Sequence, residues 1–266
     1  MFFTVIYTFL ICIIATTIGA ISGVGGGVII KPVMDAVSGL AVSQISFLSG
    51  CTVLAMCIVS LLRSRGSGVR IQAKTGTLMA LGGAAGGLLG KDWFEWFRSF
   101  FGNEPLLGVV QSVLMILLTG GVLLYVLHKE RICTLHLSHA VVCLLVGLVL
   151  GLLSAFLGIG GGPINLVVLY YFFSMDSKTA ALHSLYIIFF SQIASLISTF
   201  AKGNIPPVEP AVLIAMVIGG IAGGLLGSRI SCRLDNAAVD RVFRVLLIVI
   251  TLISCYNLWH YAALAL

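Results

Sequence analysis

The stretch Ser22-Gly23-Val24-Gly25-Gly26-Gly27-Val28 interrupts an apolar run near the start of the chain. Glycine is the poorest helix former after proline. Four glycines within five positions therefore mark a place where a membrane-length helix stops. A near copy, Leu157-Gly158-Ile159-Gly160-Gly161-Gly162-Pro163, recurs further along. Whether these two breaks cross the membrane or turn back within it decides the fold.

The chain around them is unlike a soluble protein. Of its 266 residues 59% are hydrophobic and 9% charged, with a mean hydropathy of +1.15; soluble domains carry about 25% charged residues. Apolar runs of about 20 residues recur, each long enough for a hydrocarbon core near 30 Å. The composition predicts an all-α polytopic membrane protein, and the net charge of +6 bears on topology rather than on nucleic acid. No basic n-region precedes the first apolar run, so a cleaved leader is not expected. The seven cysteines are scattered and read as small buried hydrophobes. Cys133, His136 and His139 read as a solvated loop rather than zinc ligands, so no metal is expected.

Sliding the chain against itself relates the two breaks. An offset of 135 places Gly23, Gly25, Gly26 and Gly27 on Gly158, Gly160, Gly161 and Gly162, and Ser49 on Ser184. Further on, an offset of 137 places Gly82-Gly83-x-x-Gly86-Gly87-Leu88-Leu89-Gly90 on Gly219-Gly220-x-x-Gly223-Gly224-Leu225-Leu226-Gly227. Two blocks in the same order predict two structural repeats. The first, 1–127, has a broken segment at 2–39 and spans at 41–62, 75–90 and 106–127. The second, 128–266, has a broken segment at 138–174 and spans at 179–201, 210–230 and 241–263. Together they form one integrated membrane domain. The four-residue glycine spacing in the middle spans suits close helix contact in lipid. Trp93, Phe94, Trp96 and Phe97, with Lys91 and Arg98, read as an interfacial segment after 75–90.

The 15 basic residues choose between the two topologies. If the broken segments cross, basic residues divide 7 to 8 between the two sides. If they return as re-entrant hairpins, the split is 11 to 4, and only Lys31, Lys91, Arg98 and Lys202 lie opposite the rest. The positive-inside rule favours the second arrangement. Three spans per repeat then make the repeats inverted, in a multi-pass cell-membrane protein with both termini outside.

Non-helical backbone cannot face lipid, so both turns must be buried in protein or line a polar cavity. A helix start presents unpaired N–H groups and a partial positive charge, which suits an anion. The candidate contacts are Ser22, Gly25, Gly26 and Gly27 at the first turn and Gly160, Gly161 and Gly162 at the second. Ser49 and Ser184 stand at equivalent repeat positions and offer hydroxyls. Asn165 offers an amide. His183 is either a structural histidine or a proton-linked one. Lys31 either pairs with Asp35 four residues on or lends its charge to the site. The expected partners are a small anion and the lipid bilayer, with no nucleic acid.

At these residues the chain resembles the TauE/SafE sulfite and sulfonate exporters. The matching pieces are GVGGGVIIKP at Gly23–Pro32, GIGGGP at Gly158–Pro163, the serine after each, and the GGLLG blocks. The resemblance implies secondary transport of sulfite, thiosulfate or an organosulfonate such as sulfoacetate. It also implies coupling to an ion gradient, with the proton expected, and no prosthetic group. Leu48-Ser49 and His183-Ser184 stand where the family often has Thr-Ser. An anion channel fits the same helix starts. A membrane enzyme fits less well, because His183 and Ser184 are adjacent and point about 100° apart on a helix.

Overall fold

The computed structural model describes residues 2–64, 71–102, 104–137, 139–159 and 162–265. Gly160 and Gly161 lie outside the described residues. Among the described residues ten α-helices run in the order α1 (Phe2–Ser22), α2 (Gly27–Val37), α3 (Val42–Ser64), α4 (Ala73–Phe101) and α5 (Glu104–His128), then α6 (Ala140–Leu157), α7 (Pro163–Phe173), α8 (Ser177–Ala201), α9 (Pro210–Arg233) and α10 (Asn236–Ala265). Seven of them, α1, α3, α5, α6, α8, α9 and α10, are long and apolar enough to cross a membrane. The helices α2 and α7 have 11 residues each, about 16 Å, or half a hydrocarbon core.

One expected boundary moves. The span expected at 75–90 and the aromatic segment after it form a single 29-residue helix, α4. Nothing breaks the helix between Gly90 and Gly102, where a left-handed glycine (φ 60°) caps it. Phe94 points inward, 2% exposed, while Trp93 and Trp96 face outward.

The glycine blocks join helices from different halves of the chain. On α4, Gly82, Gly86 and Gly90 meet the carbonyls of Leu144, Leu148 and Leu152 on α6 so closely that an added Cβ would stand 2.1, 2.0 and 2.3 Å from those oxygens. On α9, Gly219, Gly223 and Gly227 lie in the same way against Phe9, Ile13 and Thr17 of α1. In lipid, where hydrophobic association is absent, such backbone contact supplies the dispersion energy that holds helices together. The other contacts follow a common plan. α3 packs on α9 and α4 on α8, α10 on α2 and α5 on α7, while α3·α8 and α5·α10 map onto themselves. Exchanging the first five helices for the last five carries these named contacts onto one another.

Polar side chains fix the two ends of the bundle. At one end Lys202 pairs with Asp92, Asn204 donates to Glu95 and Ser43 donates to Glu104. At the other Lys129 and Ser177 both reach Asp240, and the Lys178 amide donates to Asn236. The outer surface is apolar in helical register, as at Val245, Leu252 and Trp259 of α10. The interior holds many buried serines and threonines, some bonded to backbone carbonyls one turn back, as Thr16, Thr52 and Thr119 are.

Candidate anion site at the two glycine turns

After Ser22 the chain reverses through Gly23 (φ 75°) and Gly25 (φ 86°), left-handed conformations that side-chain-bearing residues rarely adopt. The amides of Gly23 and Gly25 both point back to the carbonyl of Gly19. α2 then begins at Gly27. Of its first N–H groups, those of Ile29 and Ile30 are taken by the Gly26 carbonyl. Those of Gly27 and Val28 meet no acceptor among the described residues, and no side chain caps this helix start. The second turn opens with Gly158 (φ 66°) and leads to Pro163 at the first position of α7. Proline is suited to that place, since its missing N–H would be unpaired there.

The two turns touch. A Cβ on Gly27 would stand 2.1 Å from the carbonyl oxygen of Ile159 and 2.9 Å from Val53 in the middle of α3. Gly23 lies against Ala181 of α8, and its equivalent Gly158 lies against Ser46 of α3. The start of α2 therefore meets the turn that leads to α7 inside the protein, with no acidic residue between Ser22 and Val28 or between Ile159 and Asn165. Two partial positive ends in a low-dielectric interior attract negative charge more strongly than they would in water.

Some expected side chains gather there and others are engaged elsewhere. Ser49 and Ser184 are fully buried. The Ser184 hydroxyl accepts from the Asn165 amide at 3.4 Å. The Ser49 hydroxyl and the Asn165 carbonyl oxygen find no partner among the described residues. Each such group costs about 1–3 kcal/mol if left unsatisfied; of the two, only the Ser49 hydroxyl can donate to an anion. Gly162 also lines this turn, with room for a Cβ against Ile159 at 3.4 Å. Gly26 packs on Thr16, where a Cβ would meet the methyl at 2.6 Å.

Ser22, by contrast, donates to the Ile18 carbonyl on its own helix at 2.9 Å. Lys31 is 3% exposed and pairs with Asp35 at 2.9 Å. The other Asp35 oxygen accepts from the Tyr261 hydroxyl at 3.0 Å. The Pro32 carbonyl accepts from the Asn257 amide at 2.8 Å. Lys31 thus serves the α2·α10 contact. His183 is fully buried; Nδ1 lies 2.9 Å from the Thr179 carbonyl, and Nε2 accepts from the Gln72 amide at 3.0 Å. This pattern requires a neutral ring protonated at Nδ1.

Comparisons with known proteins place the chain in a family. The sulfite exporter TauE/SafE family matches residues 8–254, which includes both turns, Ser49 and Ser184. The chain belongs to the TauE/SafE sulfite exporter family. A relative in Bacillus subtilis (strain 168), described as the probable membrane transporter protein YunE, is 25% identical over 260 residues and covers 90% of this chain and 92% of its own length. No solved structure matches. As a TauE/SafE member with seven membrane-length helices, this is a multi-pass membrane protein of a transporter family. Sequence reasoning passed over the buried polar residues Ser46, Gln192, Ser195 and Thr199. A signal for two of them was present, because Ser60 and Ser64 recur as Ser195 and Thr199 at the offset of 135.

Proposed function

We propose that this protein is a secondary transporter that carries a small sulfur oxyanion or organosulfonate by alternating access. The observation that carries this reading is the contact of the uncapped α2 start with the turn that leads to α7, together with the buried Ser49 hydroxyl that has no partner among the described residues and Asn165 in the first turn of α7. In this reading α1–α2 and α6–α7 are re-entrant hairpins of two inverted repeats. Four contacts support it. α1 runs beside α9 in the same direction, so its start lies near Pro210, and Gln44, soon after α2 ends, donates to the Pro207 carbonyl at the same end. α6 runs with α4, starting at the opposite end, and Ser174 after α7 returns there to bond Thr134. The eleven basic residues then face the cytoplasm, and the first and last helix ends lie outside.

The coupling ion in this reading is the proton, with His183 as its carrier. A second proton on Nε2 would face the Gln72 N–H and break the contact between α8 and the start of α4. Protonation would therefore loosen two elements that a rocking motion must separate.

Proteoliposomes test both parts. Sulfite should accumulate against its gradient when a pH gradient is imposed and should show counterflow. Flux that only dissipates gradients would assign a channel instead. Sulfate, thiosulfate, sulfoacetate and taurine, compared by thermal shift, rank the substrates. In His183→Gln the pH dependence of flux should flatten, because the amide cannot take up a proton; an unchanged pH profile removes His183 from the coupling.

A further inference from the structure

Beside the glycine turns, where Gly158 lines one and Ala181, the neighbour of Gly23, lines the other, two cavities open toward opposite ends of the bundle. The smaller, about 20 Å³, is lined by Ser46, Lys91, Phe94, Gln192, Ser195 and Thr199. The larger, about 60 Å³, is lined by Ser60, Ser64, Lys178, Ala181, Ser228 and Cys232 among others. The walls correspond through the internal repeat. Ser60, Ser64 and Ser46 fall on Ser195, Thr199 and Ala181 at the offset of 135, and Lys91 falls on Ser228 at 137. One element of the fold has thus produced a polar cavity twice, once at each end.

Each cavity carries one lysine, placed at positions that the repeat does not equate. The Lys91 side chain is 12% exposed. Its ammonium lies 3.9 Å from Glu95 and 4.9 Å from the centre of the Phe94 ring. It makes no hydrogen bond among the described residues. The other Glu95 oxygen is committed to Asn204 at 2.7 Å. A nearly buried ammonium with three donors and one distant counter-charge is expensive unless an anion joins it. The Ser46 hydroxyl in the same cavity is buried and without a partner, as is that of Ser49 one turn along α3. These hydroxyls connect the Lys91 cavity to the glycine turns.

We propose that the two cavities are the opposite mouths of one anion path, with Lys91 and Lys178 as outer subsites for a small oxyanion. This rests on the transporter reading above. Room for one water takes about 10–15 Å³ on this scale. The Lys91 mouth is therefore closed to an oxyanion here, while the Lys178 mouth has space for about four heavy atoms. Of the two mouths, the one at Lys178 is the wider in this structure.

Sulfite flux is measured from each side of proteoliposomes with uniformly oriented protein. Lys91→Gln should raise KM about tenfold from the Lys91 side, with kcat nearly unchanged and KM from the other side unaffected. Lys178→Gln should do the reverse, and Lys91→Arg should retain wild-type KM. Equal KM changes from both sides, no change, or an arginine variant as impaired as the glutamine one would overturn the assignment. A second measurement needs no flux. Cys232 borders the Lys178 cavity and is exposed, so an anionic methanethiosulfonate should modify it faster than a neutral reagent of similar size. Lys178→Gln should abolish that difference, and equal rates in the wild-type protein would sink the Lys178 subsite. Wild-type protein that moves no sulfite in either direction counts against the transporter reading, while the labelling rates still judge the mouth.

Discussion

Asn165→Asp should reduce sulfite flux about a hundredfold while leaving the protein folded. The two side chains are the same size, and the Asn165 carbonyl oxygen has no partner among the described residues to lose. Aspartate in the first turn of α7 is favourable to that helix, because a negative charge suits a helix start. The variant therefore supplies from the protein the charge that the substrate would bring. Two unit charges about 5 Å apart repel by about 3 kcal/mol at an effective dielectric of about 20, which is roughly a hundredfold in binding. Gel filtration should still show folded protein, and the thermal shift produced by sulfite should vanish. Asn165→Ala, which removes one donor and adds no charge, should lose about tenfold. If Asn165→Asp transports at the wild-type rate, the helix starts do not bind the anion.

The second large effect is expected at Gly27. The clash there comes from the Cβ itself, 2.1 Å from the Ile159 oxygen and 2.6 Å from its carbonyl carbon. Backbone cannot swing aside as a side chain can, so even Gly27→Ala should push the two turns apart and abolish measurable flux. Gly120 and Gly121 of α5 make the comparison fair, since a Cβ on either meets nothing within 4 Å. Alanine there should leave flux intact and stabilise the helix by up to about 1 kcal/mol. Elution profiles on gel filtration separate loss of fold from loss of transport. Substantial flux in Gly27→Ala would mean that contact between the turns is not needed.

Much of this architecture is legible in the sequence because lipid narrows the choices. A mostly apolar chain has few ways to satisfy its backbone, and glycine clusters show where the helices stop. The breaks at Ser22 and Leu157 and the short helices after them follow from that. The length of α4 did not, because hydropathy falls at Lys91 and Asp92 while the helix continues to Phe101. Charged residues end a hydrophobic run but not a hydrogen-bond ladder. The role of Lys31 was open for a different reason. Spacing showed that it could reach Asp35, but only the fold brings Tyr261, 226 positions from Asp35, to the same carboxylate. Ser22 and Ser49 look alike in sequence, yet one hydroxyl turns back to its own helix and the other does not. That difference is set by rotamer and neighbours, which a pattern of residue types does not encode.

The glycine contacts between α1 and α9 also bear on how the protein is made. The residues that face each other there, such as Ile13 and Gly223, are separated by most of the chain. During synthesis α1 enters the bilayer long before its partner exists, and α4 likewise waits for α6. Contacts this distant in sequence slow folding, because the chain must close a long loop before they can form. In the interval the bare backbone of each glycine stripe is open to other helices. Newly made protein thus depends on finishing the ninth helix before the first can settle.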